Sequence, residues 1–286
     1  NKKNLLTLKK KYKKLNIKNN FENILADVSI KNILIAVPPT KNFNLIKKSI
    51  YFKKNIFVEK PGVTSLSKLK ILNESAKKNN IKLMFGYIYC YNSQILKIKE
   101  IVSKKLLGEI LYMNFQRQNL GPIRNDIDVD YDLSSHDLSI INKIFGKLPK
   151  ILSFKKYDIL KKGISDISNL HLKLDKTYID INNSWLSPTK IRKISIVGKK
   201  KMLLFDEMNT ENPIKIYNQY AKYPRIEQFN KKFFERKALV YSGKNYSVKV
   251  KSTPALNDEL KHFFNAKKVE TNFKLAYKIL KFLKRI

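Results

Sequence analysis

A chain of 286 residues is long enough for two domains with separate cores, and 43% apolar with 11% aromatic content excludes a disordered tail. The formal charge of +36 raises nucleic acid or an anionic membrane as partners, yet only 6 of the 59 basic residues are arginine, the side chain suited to bidentate phosphate and base recognition. Lysine, asparagine and isoleucine are spread through the whole chain, so a solvated lysine surface is the reading taken, with no nucleic acid and no membrane as partner.

Cys90 is the single cysteine, which rules out an intramolecular disulfide and a multi-cysteine metal site. No run of 18 apolar residues is present, and Asn1-Lys-Lys-Asn-Leu5 lacks the apolar stretch of a signal peptide. A soluble, cytoplasmic protein with no metal is the expectation.

Leu5 to Leu15 reads as a lysine-rich helix. Ile33 to Val37 is a continuous apolar run stopped by Pro38-Pro39, the pattern of a buried parallel strand. A helix at Phe43 to Phe52, a strand at Ile56 to Val58, a helix at Ser65 to Lys78 with Thr64 as N-cap, and a strand at Ile81 to Phe85 ending at Gly86 follow. Strands alternating with such helices imply βαβ units and a parallel sheet. Beyond residue 91 the pattern changes. A helix at Ser93 to Ser103 leads through Leu107-Gly108-Glu109 into a strand at Ile110 to Phe115. A polar loop, Arg117 to Tyr131, precedes a helix at Asp132 to Phe145 closed by Gly146. Strand-like segments then dominate: 151–154, 169–174, 178–185, 193–197, 202–205, 214–217 and 246–250. Helices at 256–264 and 272–283 end the chain. The fold class read from this order is α/β plus α+β. A partial Rossmann-type parallel sheet over 1–90 precedes a mostly antiparallel open-sheet domain with helices over 91–286.

Two segments carry candidate chemistry. Asn55-Ile-Phe-Val-Glu59-Lys60-Pro61 ends an apolar strand in a charged pair, and ligands bind at the carboxyl ends of strands in open parallel sheets. Asp132-Leu-Ser-Ser-His136 puts a carboxylate and an imidazole at i and i+4 on one helix face. A lysine, an aspartate and a histidine meeting in a cleft can move the proton that accompanies hydride transfer to or from an alcohol. A solvated charge pair and a core histidine beneath an N-cap aspartate would fit the same residues. His262, with Asp258 four residues before it, matches the spacing as well as His136, whereas His171 has Ile167 in that place.

Ile35-Ala-Val-Pro-Pro-Thr40, Phe57-Val-Glu-Lys-Pro61, Gly86 after a strand, Leu107-Gly-Glu-Ile110 and Asp132-x-x-x-His136 occur together and in this order. The conjunction resembles the glucose–fructose oxidoreductase and inositol dehydrogenase (Gfo/Idh/MocA) family, and the similarity continues to Ser184-Trp-Leu-Ser-Pro188 and Val197-Gly198. The resemblance implies a Rossmann-type domain that binds NAD or NADP, and a C-terminal open sheet that supports the substrate pocket and a homo-oligomer interface. It implies Lys60 at substrate and nicotinamide, His136 as acid/base with Asp132 beside it, and Pro38, Pro39 and Glu59 along the dinucleotide. Asn42 falls where the family commonly has histidine.

The eight glycines form no G-x-G, so the pyrophosphate-binding loop of the family is not found in these residues. Asn1 resembles the helix after the family's second strand, which reads as an N-terminal truncation of about one βαβ unit. The expectation is an NAD(P)-dependent oxidoreductase acting on a hydroxyl of a sugar, sugar nucleotide or cyclitol. Arg117, Asn119, Arg124, Trp185, Lys190 and Arg192 are candidates for a substrate-binding rim. The alternative is a non-catalytic sugar-binding or regulatory relative that has lost the cofactor site.

Overall fold

The apolar runs of the first third of the chain pair as parallel strands in the computed structural model, which describes residues 2–222 and 238–286. Helices α1 (Lys2–Lys11) and α2 (Phe21–Ala26) precede β1 (Asn32–Ile35), α3 (Pro39–Tyr51), β2 (Asn55–Glu59), α4 (Leu66–Lys78) and β3 (Leu83–Gly86). The sheet order is β1-β2-β3, all parallel, and the register sets Glu59 opposite Gly86 at the strands' carboxyl ends. Ile56, Val58, Met84 and Phe85 are fully buried, as strands covered on both faces require. α3 begins four residues earlier than the sequence pattern indicates, because Pro39 takes the first helical position, where its missing N–H costs nothing. The cap of α4 is Ser65 rather than Thr64: its side chain accepts the Lys68 N–H.

A 3-10 turn (Ile88–Tyr91) and α5 (Ser93–Ser103) lead to β4 (Ile110–Gln118); after a loop, a single π-helical turn (Asp130–Ser134) runs into α6 (Ser135–Phe145). Gly146 closes α6 in the left-handed conformation at φ 74°, its N–H bonded to the Asn142 carbonyl. The strands β5 (Lys150–Tyr157), β6 (Ile167–Leu174), β7 (Thr177–Ser184), β8 (Ile191–Gly198), β9 (Met202–Asp206) and β10 (Ile214–Tyr217) follow. A pair that the sequence pattern did not reveal, β11 (Gln219–Lys222) with β12 (Leu239–Ser242), stands apart, and β13 (Tyr246–Ser247) returns to the large sheet. Its order is β13-β10-β9-β8-β4-β7-β6-β5, antiparallel throughout except for the parallel pair β4–β7. Alternation sets its two faces: Ile179 and Ile181 on β7 are buried while Tyr178 is exposed.

The last helices, α7 (Ala255–Asn265) and α8 (Phe273–Leu283), come back to the parallel sheet. Phe263 meets Phe57 edge-to-face, the Phe85 N–H donates to the Thr271 carbonyl at 2.8 Å, and Lys82 Nζ donates to the Phe263 carbonyl at 2.7 Å. The C-terminal segment thereby packs against β2 and β3.

Candidate active site

Lys60 follows directly on β2, and its peptide bond to Pro61 is cis. The ammonium donates to the Asp132 carbonyl at 2.5 Å and to Asp132 Oδ1 at 3.0 Å. Burial lowers the Lys60 pKa, and Arg124 adds to that, while Asp132 opposes it. Trp185, just past β7 and almost fully buried, donates its Nε1–H to Asp132 Oδ2 at 3.2 Å. Asp132 therefore ties β2, the π turn and the end of β7 together.

Neither reading of the spacing, an N-cap aspartate or a carboxylate bonded to the His136 ring, is the arrangement found. Asp132 lies inside the π turn, where the i to i+4 bonding of an ordinary helix is interrupted, and its carbonyl is free to accept from Lys60. Its carboxylate is taken by Lys60 and Trp185. His136 Nδ1 is buried without a hydrogen-bond partner. The imidazole rests instead edge-on against Tyr89, ring centroids 5.1 Å apart. Burial, followed by the fields of Lys60, Arg117 and Arg192, holds the His136 pKa well below its ordinary 6.5, so the ring is neutral. The other histidines sit elsewhere: His171 Nδ1 lies 2.8 Å from Asp180 on the outer sheet face, and His262 accepts the Glu270 N–H.

Beneath His136 lies a buried network. Arg117 is 4% exposed; its Nε donates to Asp137 Oδ1 at 2.9 Å and its Nη1 to the Tyr89 hydroxyl at 2.7 Å. Tyr89 in turn donates to Glu207 Oε2 at 2.7 Å. Burial pushes Asp137 up and Arg117 holds it down. Arg117 thus stands under the site rather than on its rim. Tyr89, Asp137 and Glu207 are participants that the motifs did not point to. Two signals were there: Asp137 adjoins His136, and Tyr89 follows a strand's carboxyl end.

The remaining rim candidates divide. Arg192 donates to Asn119 Oδ1 at 2.7 Å and to backbone carbonyls, and Arg124 clasps Asp126 through two bonds of 2.8 and 2.9 Å. These guanidinium groups are already engaged within the protein, although the charges of Arg124 and Arg192 reach Lys60 and His136. Lys190 is exposed on the turn between β7 and β8.

On the sheet side, Pro38 is exposed at the start of α3 and Pro39 is buried. Asn42 is buried; its Nδ2 donates to the Gly62 carbonyl at 2.7 Å while Oδ1 has no partner. It fastens α3 to the turn after Lys60. Glu59 is half-buried, its pKa raised by burial and restrained by Lys60. A Cβ on Gly86 would approach Glu59 Oε2 to 3.0 Å, so glycine there gives the carboxylate its place across the strand end. An open strand end, a proline-led helix start, a half-buried carboxylate and a neutral imidazole with an orphaned nitrogen suit the nicotinamide half of a dinucleotide. Pro38, Pro39, Glu59 and Lys60 are the residues that would flank it.

A three-stranded parallel sheet with Lys60 at its strand ends, followed by a large mixed sheet, is a Rossmann-type arrangement. Residues 3–87 match the family described as an oxidoreductase family with an NAD-binding Rossmann fold. That is the Gfo/Idh/MocA family, which the motifs of the sequence resemble. It is 28% identical over 97 residues to Oxidoreductase P35 of Formosa agariphila, covering 34% of this chain and 30% of that protein. It is 27% identical over 128 residues to the scyllo-inositol 2-dehydrogenase (NAD(+)) of Bacillus subtilis, covering 43% of this chain and 37% of that one. The matched part thus spans about a third of these relatives' length. The fold is that of UDP-N-acetylglucosamine 3-dehydrogenase GnnA from Acidithiobacillus ferrooxidans, with a TM-score of 0.77 at 16% identity over 100% of this chain and 86% of that one. No helix among the described residues is long and apolar enough to cross a membrane.

Proposed function

We propose that this protein is an NAD(P)-dependent oxidoreductase of a sugar, sugar-nucleotide or cyclitol hydroxyl. The observation that carries the reading is the joining of Lys60 to the Asp132 segment beside a neutral His136, at the carboxyl ends of β2 and β3. Relatives named for inositol and UDP-N-acetylglucosamine dehydrogenation support the substrate class. The nicotinamide, when bound, accepts or supplies the hydride. The protein's own residues handle the proton. His136 takes the hydroxyl proton through Nε2, the ring nitrogen left once Nδ1 is buried. Lys60, fixed by Asp132, hydrogen-bonds the same oxygen and offsets the negative charge that develops there. Trp185 holds Asp132, and through it Lys60, in place. Glu59, Pro38 and Pro39 line the dinucleotide, with Asn42 fastening the turn on which Glu59 and Lys60 sit. Residues 1–90 supply the dinucleotide side and residues 91–286 the substrate side, with the large sheet's outer face serving for pairing with a second copy.

The test is a panel of polyols, hexoses and nucleotide sugars with NAD+ and NADP+, read as reduced nicotinamide formed. His136→Asn should lower turnover by at least about 100-fold, the scale of a general acid–base group, while leaving cofactor affinity nearly unchanged. Turnover within a few-fold of wild type would make His136 a packing residue and remove the proposal.

A further inference from the structure

Glu259 on α7 is 0% exposed, and neither of its carboxyl oxygens has a hydrogen-bond partner. None of the roles given to Lys60, Asp132 and His136 uses it. Its location follows from two registers. Phe57 and Phe263 meet edge-to-face with centroids 5.9 Å apart. Glu59 lies two residues beyond Phe57 on the same strand face, and Glu259 lies one helical turn before Phe263 on the same helix face. Each step advances about 6 Å from the joined rings, and the charge of Glu59 reaches Glu259 across this packing.

Among the described residues no cation is paired with the carboxyl. Glu59 acts on it from β2, and it in turn pushes up the Cys90 thiol and the Tyr91 hydroxyl of the 3-10 turn. His262, on its own helix, turns toward Tyr91 and the Glu270 N–H; Glu270 is paired with Lys143. Lys82 directs its ammonium to the Phe263 carbonyl. An ionised carboxylate with no donor in such a place is too costly to persist, and the group keeps its proton instead.

We propose that Glu259 is a proton-carrying positioning residue for Glu59. Neutral, it leaves Glu59 as the only charge of the two carboxyl groups, restrained by the field of Lys60; ionised, it sets a second negative charge against Glu59 and weakens dinucleotide binding there. The binding half rests on the reading above that Glu59 lines the dinucleotide. Burial first and Glu59 second push the Glu259 carboxyl up to about 8 from its ordinary 4.5, so the change falls in mildly alkaline solution. The sign follows from linkage: the folded state holds this proton more tightly than the unfolded one. The stabilisation is complete below the ordinary carboxyl pKa and is lost as pH rises through the folded value.

The experiment uses the full chain labelled with glutamate carboxyl carbon-13, titrated by NMR, in wild type, Glu259→Gln and Glu59→Gln. One resonance, absent from Glu259→Gln, should titrate near pH 8, and Glu59→Gln should move it toward lower pH. Titration of that resonance between pH 4 and 5 overturns the proposal, as does indifference to Glu59→Gln. In parallel, NADH is titrated to millimolar concentration at pH 7 and pH 9. Wild type should lose affinity by about five-fold or more, the low end of coupling between linked sites, and Glu259→Gln should lose less than about two-fold. Equal losses in the two proteins overturn the proposal. Absence of NADH binding in both proteins at both pH values would instead sink the dinucleotide reading, and with it the binding half. The proton-carrying half is then judged on the resonance alone.

Discussion

At the scale of residues, the charge state of His136 decides what the site can do first. Burial and three neighbouring cations act together on it, and no carboxylate bonds to the ring to oppose them. A group whose folded pKa is depressed stays deprotonated until the pH falls below its ordinary value. The base needed for alcohol oxidation is then available throughout the neutral range. The expected kcat/KM profile for oxidation is flat from about pH 8 down through about 6.5, and its acid limb lies lower still, because that limb reports the free enzyme's base. An acid limb at pH 7 or above would show that the imidazole is charged in the free protein and that the cationic surroundings do not govern it. The same depression means that protonating His136 in acid opposes folding: its stabilising contribution is present above 6.5 and lost as pH falls.

At the scale of elements, the parallel strands were legible because continuous apolar runs bounded by proline, glycine and polar turns leave few alternatives. The charged pair at the end of β2 and the Asp132–His136 segment were legible for the same reason, as breaks in otherwise regular patterns. What stayed hidden has a physical cause in each case. The π turn shifts hydrogen bonding by a single residue, and no residue type announces that, so Asp132 read as the start of a regular helix. Arg117 read as a loop residue because the β4 strand seemed to stop at Phe115. Yet Met113, Phe115 and Arg117 alternate, and the same period that buries the first two buries the guanidinium. Glu259 escaped because a carboxylate on a terminal helix looks solvated, although its spacing from Phe263 places it on the apolar face. The Arg117–Asp137 pair supplies a test of the β4–α6 contact. Arg117→Met should destabilise the protein by about 3–5 kcal/mol in denaturant unfolding, since it strands a buried carboxylate. Adding Asp137→Leu should recover most of that loss, because two apolar side chains leave no uncompensated charge. A single-variant cost under about 1 kcal/mol would mean that water reaches the pair.

At the scale of the whole molecule, the excess of 59 basic over 23 acidic residues is the dominant fact, and it bears on stability more than on the site. Exposed pairs such as Lys104–Glu100 and Lys199–Glu109 occupy some of the acidic groups, and the remaining lysines face one another across solvent. Repulsion of this kind favours expansion of the chain and acts over distances that salt shortens to a Debye length of about 10 Å at 0.1 M. The buried groups of the site feel that screening much less. The melting temperature should therefore rise when sodium chloride is raised from about 20 to about 200 mM, as the Debye length contracts. The added stability should be similar in wild type and in His136→Asn, because it comes from the surface and not from the pocket. Sodium sulfate at equal ionic strength should add a further increment through its exclusion from protein surface. A melting temperature that falls with sodium chloride would show that attractive ion pairs outweigh the lysine excess. The charge would then have to be arranged in networks that its even spread along the sequence does not suggest.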